Sequence, residues 1–284
     1  MSTWPEAQHL RQCALAVAVL HDIDVLPAVD GVLLPGRPDL LITWPECRRA
    51  LGGADPTSDQ ARLRLCHWFQ LRRWLADRPL EDLEARARPY GAWVESPLHP
   101  GLDWVRRRII GDTLDLGFGF VGLDPDRPDL VLPIPHQLLR AAGIEPSPWW
   151  PTAVVYLERM GEMAAQRLRR SSQLRPMGDC DVMTLLGSRT LRHAIVDGLP
   201  DGMRTVAVPM RNRGWLDLNR IDPAFSAAAA RLTGLEDRGF DRPLMVTRDE
   251  VVIARADGDV IRAAIEDRIA PVIDIRDVLY HRQP

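Results

Sequence analysis

Eight residues of this chain recur at one fixed offset. Pro35, Arg37, Pro38, Asp39, Leu40, Pro45, Gly53 and Pro56 are matched without gaps, 90 residues downstream, by Pro125, Arg127, Pro128, Asp129, Leu130, Pro135, Gly143 and Pro146. Proline fixes φ and removes a backbone donor, so a Pro/Asp turn between apolar runs reverses the chain. Turns at equal spacing restrict both stretches to the same order of elements: strand, reversal, strand, then helices.

Hydrophobic periodicity fills in that order. Pro5 to His21 reads as a helix with Leu10, Ala14, Val17 and His21 on one side. Val32–Leu34 and Leu40–Ile42 flank the Pro35–Asp39 turn as paired strands. Thr43-Trp44-Pro45-Glu46 has the spacing of a capping box and opens a short helix that stops at Gly52-Gly53. Ser58 to Ala76 is a long helix with the apolar stripe Ala61, Leu65, Trp68, Phe69 and Leu75. The second copy predicts a helix over Leu102–Ile110, strands over Leu114–Leu123 and Leu130–Ile134, a short helix from Pro135 to Ala142 and a long one from Trp150 to Arg170. A weaker third copy runs from a helix at Ser188–Asp197 through strands at Thr205–Val208 and Trp215–Leu218. A hairpin over Leu244–Val246 and Val251–Ile253, a helix near Asp259–Ile269 and a strand at Val272–Ile275 complete the chain.

The expected fold class is α+β: short antiparallel strand pairs with packed helices and an internal duplication of a unit of roughly 90 residues. Pro- and Gly-rich connections at Arg88–Gly101 and Ser171–Asp179 divide it into residues 1–90, a similar unit 91–178 and a C-terminal unit 179–284, packed as one globule.

Composition removes whole classes of chemistry. All 36 basic residues are Arg, so the chain has no lysine to reach a nucleotide phosphate, to form a Schiff base or to act as a nucleophile. A net charge of -3 argues against a dedicated nucleic-acid binder. The apolar run Cys13–Leu20 is far short of the ~20 residues of a membrane span and lacks the flanks of a signal peptide. Cys13, Cys47, Cys66 and Cys180 are too scattered for a disulfide framework or a zinc site, which predicts reduced thiols in a cytoplasmic protein.

The motifs that carry chemistry each meet a structural objection. Gly117-Phe118-Gly119-Phe120-Val121-Gly122 matches a dinucleotide-binding pattern, but the Pro-containing turn behind it leaves no helix to receive a pyrophosphate. It reads as a strand whose glycines admit a close neighbour. His21-Asp22 has only His9 upstream, too far along one helix to share a metal. No cofactor and no metal are expected. His193 and Asp197, four apart on a helix, have the spacing of a base and its orienting carboxylate. Cys180 lies between Asp179 and Asp181, which oppose a reactive thiolate.

The expected function is therefore binding without catalysis: a scaffold or regulatory protein that recognises a protein partner, another copy of itself or a ligand through Trp/Arg surfaces. Arg62, Trp68, Arg72, Arg73 and Trp74 on one predicted helix, with Trp104 and Arg107, are the candidate contact residues. The alternative is a metal-independent, hydrolase-like enzyme with a site between units around His99, His136, Asp179, His193 and Asp197. A nucleic-acid-associated regulator using the Arg clusters is the third reading, nucleic acid being the less favoured partner.

Overall fold

The computed structural model describes residues 4–36, 39–77, 84–101, 104–123, 130–141, 143–217 and 224–254. The expected helix near 259–269 and strand at 272–275 lie outside them, as does the turn at 124–129.

The chain opens with α1 (Trp4–Leu20), followed by β1 (Leu26–Pro27), β2 (Gly31–Leu34) and β3 (Leu40–Thr43), an antiparallel sheet in that order. α2 (Trp44–Leu51) starts where the capping box predicts, with the Thr43 hydroxyl accepting from Glu46 N. It stops at Gly52, whose φ of 57° is the left-handed conformation of a helix C-cap. α3 (Asp59–Asp77) follows, and α1 and α2 pack on it.

β4 (Ala87–Trp93), β5 (Arg106–Ile110), β6 (Leu114–Val121) and β7 (Val131–Pro133) form the second antiparallel sheet. β4 runs along one edge of β6, and β5 and β7 divide the other edge between them. Two expectations are corrected by this sheet. Residues 102–110, read as a helix, contain strand β5, because Ile109 and Ile110 pair with Asp115 and Leu114. Arg88–Gly101, read as a connection, begins inside β4. Its Pro89 and Gly91 are tolerated because β4 has only one neighbouring strand, β6. The open edge of β4 is covered: Gly91 N donates to the Thr184 hydroxyl at 2.9 Å, and Gly91 O accepts from Arg211 at 2.7 Å.

Next come α4 (His136–Ala141), α5 (Trp149–Leu168), β8 (Gln173–Leu174), α6 (Val182–Leu185) and α7 (Arg189–Val196). β9 (Met203–Met210), β10 (Arg213–Leu216), α8 (Phe225–Leu232), β11 (Leu244–Thr247) and β12 (Val251–Ile253) complete the described chain. The third sheet has the antiparallel order β12-β11-β9-β10-β8.

The molecule is thus α+β with small antiparallel sheets, as its periodicity predicts. The 90-residue offset also separates Thr43 from Pro133 at the ends of β3 and β7, Leu51 from Ala141 at the ends of α2 and α4, and Asp59 from Trp149 at the starts of α3 and α5. The elements ahead of them differ: α1 and β1 in one case, β4 and β5 in the other. Equal spacing of these three element ends does not amount to a repeated unit.

Two apolar clusters form the interior. One gathers α1, β2, β3, α2 and α3 around Leu65 and Phe69, and the other gathers α5 to α7 around β9 and β11. β6 belongs to both: Phe118 and Phe120 enter the first cluster, Leu114 and Leu116 the second. Its glycines make the crowding possible. A Cβ on Gly117 would stand 2.7 Å from Trp104 Cζ2, and one on Gly119 would stand 2.7 Å from Leu132 O. The Gly-x-Gly-x-x-Gly segment is a buried strand and its end, with neighbours pressed against it. No helix among the described residues is long and apolar enough to cross a membrane.

Candidate functional site

A cleft of about 120 Å³ opens beside the first cluster, whose Trp68, Leu71 and Leu132 line it. α3 supplies Arg64, His67, Trp68 and Leu71, spaced i, i+3, i+4, i+7, so a second face of this helix is occupied beside its core stripe. β4 supplies Tyr90, the following loop Ser96 to His99, and a segment ahead of β11 supplies Glu236 and Arg238.

The polar groups of the cleft are mostly paired inside the protein. His67 Nε2 meets Glu236 Oε1 at 2.7 Å, joining residues 169 apart in sequence. His99 Nε2 lies 3.1 Å from Asp115 Oδ2, and its Nδ1 accepts from Gly101 N, also at 3.1 Å. An amide N–H can only donate, so Nδ1 is the acceptor and Nε2 carries the proton that Asp115 receives. Burial lowers the His99 pKa against the opposing pull of Asp115, which keeps the ring neutral near pH 7. Both of its nitrogens are therefore committed. Asp115, fully buried on β6, also takes an ion pair from Arg106.

Arg211 crosses the floor of the cleft. Its Nε donates to Asp181 at 2.6 Å, and its guanidinium carbon sits 4.4 Å from the centre of the Tyr90 ring. The rings of Tyr90 and Trp104 stand nearly perpendicular, with their centres 5.7 Å apart. Burial raises the Tyr90 pKa, so its hydroxyl stays protonated as a donor. Arg64 donates to the carbonyls of Leu51 and Pro97, at 2.8 Å each.

The candidate catalytic residues do not converge. His99 is in the cleft, whereas His193 lines a separate groove between α5 and α7. Asp179 is tied to Arg88 at 2.6 Å and to the Tyr156 hydroxyl at 3.3 Å. His136 opens α4, one residue beyond Pro135 in the cleft wall. His193 and Asp197 share their groove but make no hydrogen bond, and His193 Nε2 is buried without a partner. α7 ends at Val196, and Asp197 is its C-cap, where an extended ψ of 134° turns the following chain away from the helix. Cys180 is buried, and burial, with Asp181 and Asp179, pushes its thiol up. Burial also pushes the Cys47 thiol up to about 12. No three His, Cys, Asp or Glu side chains gather to hold a metal among the described residues.

The candidate contact residues mostly serve the interior. Trp104 is 1% exposed and donates from Nε1 to Phe118 O at 2.7 Å. Trp74 is buried against the Phe120 ring at 4.7 Å, and Trp68 is buried with Nε1 donating to Glu46 at 2.9 Å. Arg72 pairs with the same Glu46, Arg73 donates to Pro35 O, and Arg62 pairs with Asp59. The side chain of Arg107 lies outside the described residues. The sequence pattern does not single out His67, Tyr90, Glu236 or Arg238 as site residues. The one local signal was the polar/apolar face at 64, 67, 68 and 71; nothing near residue 236 points to residue 67.

The fold and the cleft define a class: an α+β protein with a small, partly apolar cleft between α3, β4 and the segment ahead of β11. No protein-family model matches the chain, and neither a curated protein nor a solved structure matches it.

Proposed function

We propose that the chain is a cytoplasmic, non-catalytic binding protein whose ligand is a small molecule seated in the cleft beside α3. The observation that carries this reading is the convergence there of α3, β4, the 96–100 loop and the 235–238 segment, which enclose Trp68, Leu71 and Leu98 beside the polar groups of His67, Tyr90 and Arg238. Clefts with an apolar wall and a few convergent polar groups are the usual seats of small ligands. Binding is favoured over turnover because His99 has no free ring nitrogen and the thiols of Cys47 and Cys180 are held as thiols. A second reading, a hydrolase-like enzyme, draws on the His67–Glu236 pair, a histidine oriented by a carboxylate at the cleft.

Native mass spectrometry of the gently purified protein tests the proposal. The expected result is a stoichiometric small molecule that Leu98→Trp, which adds bulk at the rim, releases without loss of fold. A small molecule retained equally by the variant, or a stoichiometric protein or nucleic acid in its place, rejects the cleft as the binding site.

A further inference from the structure

Building on the cleft as a small-molecule site, we infer that its ligand is an organic monoanion: an apolar body that carries one carboxylate. Two guanidiniums reach the cleft with no carboxylate partner among the described residues. Arg64 is held by the carbonyls of Leu51, Pro97 and His99 at 2.8, 2.8 and 3.4 Å. Arg238 donates to Thr233 O at 3.1 Å, and its Nε is buried without an acceptor. Carbonyl oxygens satisfy N–H groups but leave the charge uncancelled, and a guanidinium away from bulk water is costly until an anion joins it. Arg211 is matched in place by Asp181 at 2.6 Å, which leaves Glu236, 2.7 Å from His67 Nε2, as the one carboxylate among the lining residues facing Arg64 and Arg238. The cleft therefore carries a surplus of positive charge that a ligand can neutralise.

The rest of the lining narrows the anion. A planar carboxylate matches the fork of a guanidinium, and the Tyr90 hydroxyl, with no protein hydrogen-bond partner among the described residues, is a further donor. Glu236 on the same wall disfavours a second negative charge, which argues against phosphate dianions and dicarboxylates. Trp68, Leu71 and Leu98 receive the apolar body. At about 120 Å³, against roughly 150 Å³ for a cavity that holds benzene, the enclosed ligand has on the order of five non-hydrogen atoms.

The test uses the full chain and a panel of short-chain aliphatic carboxylates of about that size, each beside its primary amide of the same shape, with affinities from ligand-observed NMR titration. The expected result is a preference of about tenfold for the carboxylate, equivalent to about 1.4 kcal/mol, that added salt weakens and Arg238→Met or Arg238→Gln abolishes. Equal binding of acids and amides overturns the anion while leaving the cleft in place. Failure of the whole panel overturns both the anion and the cleft. A preference retained in both Arg238 variants places the anion elsewhere and also overturns the inference. If both variants unfold, the wild type decides: carboxylate-induced shifts at the Trp68 and Tyr90 side chains are expected, and their absence overturns the assignment.

Discussion

Glu158 reaches from α5 to the first turn of α7 and collects three donors: the Ser188 hydroxyl at 2.8 Å, Arg189 N at 2.9 Å and Thr190 N at 3.0 Å. Ser188 in turn accepts from Leu191 N, so the helix start is capped from within and from outside. Burial raises the Glu158 pKa, but the Thr190 and Arg189 amides and the Ser188 hydroxyl outweigh it and hold the carboxyl below its ordinary value. A depressed native pKa means that the unfolded chain takes up the proton first as pH falls. The contribution of Glu158 is therefore complete above the unfolded carboxylate value of about 4.3 and is lost as pH falls through the lower native one. Glu158→Gln is expected to lower stability by about 1–2 kcal/mol at neutral pH. Urea denaturation at a series of pH values should show the wild type and the variant converging in acid; a constant gap would mean that the charge on the carboxylate is irrelevant.

At the scale of elements, two glycines set how closely helices approach their neighbours. Gly161 lies within α5, where alanine is the better helix former by about 1 kcal/mol. A Cβ there would stand 2.5 Å from Ser188 Cβ, on the side chain that caps α7. In β4, a Cβ on Gly91 would stand 2.8 Å from Thr184 Cα and 3.0 Å from Met183 O, both in the backbone of α6. Gly161→Ala and Gly91→Ala are each expected to cost about 1–3 kcal/mol as the elements are forced apart. Thermal melts that show Gly161→Ala more stable than the wild type would mean that helix propensity outweighs the α5–α7 contact. The same scale explains the corrected elements. Arg-Arg-Arg-Ile-Ile is compatible with a helix or a strand in isolation, and the open edge of β6 makes it β5.

For the whole molecule, β6 is the shared component. Because its residues enter both apolar clusters, neither cluster can open without disturbing the strand that completes the other. A single cooperative unfolding transition follows. Cys47 reports on the first cluster and Cys180 on the second, and both thiols are fully buried. Thiol labelling during a denaturant titration is expected to expose both at one midpoint, with neither reacting in the native protein. Cys180 reacting at a lower denaturant concentration than Cys47 would show that the clusters unfold separately. The cleft belongs to this scale as well, since its walls come from segments at both ends of the described chain.

The sequence by itself determined what depends on near neighbours. The helical stripe of α3, the capping box of α2, the hairpin of β11 and β12 and the exclusion of lysine chemistry all rest on contacts within about one helical turn or one tight turn, or on composition alone. Tertiary structure alone decided which polar side chains meet. His99 met Asp115 and Gly101, His67 met Glu236, and the tryptophans expected at the surface turned inward. The physical reason is distance along the chain. Strand register and helix packing bring remote side chains together, and a carboxylate 169 residues away leaves no imprint on the local pattern around a histidine.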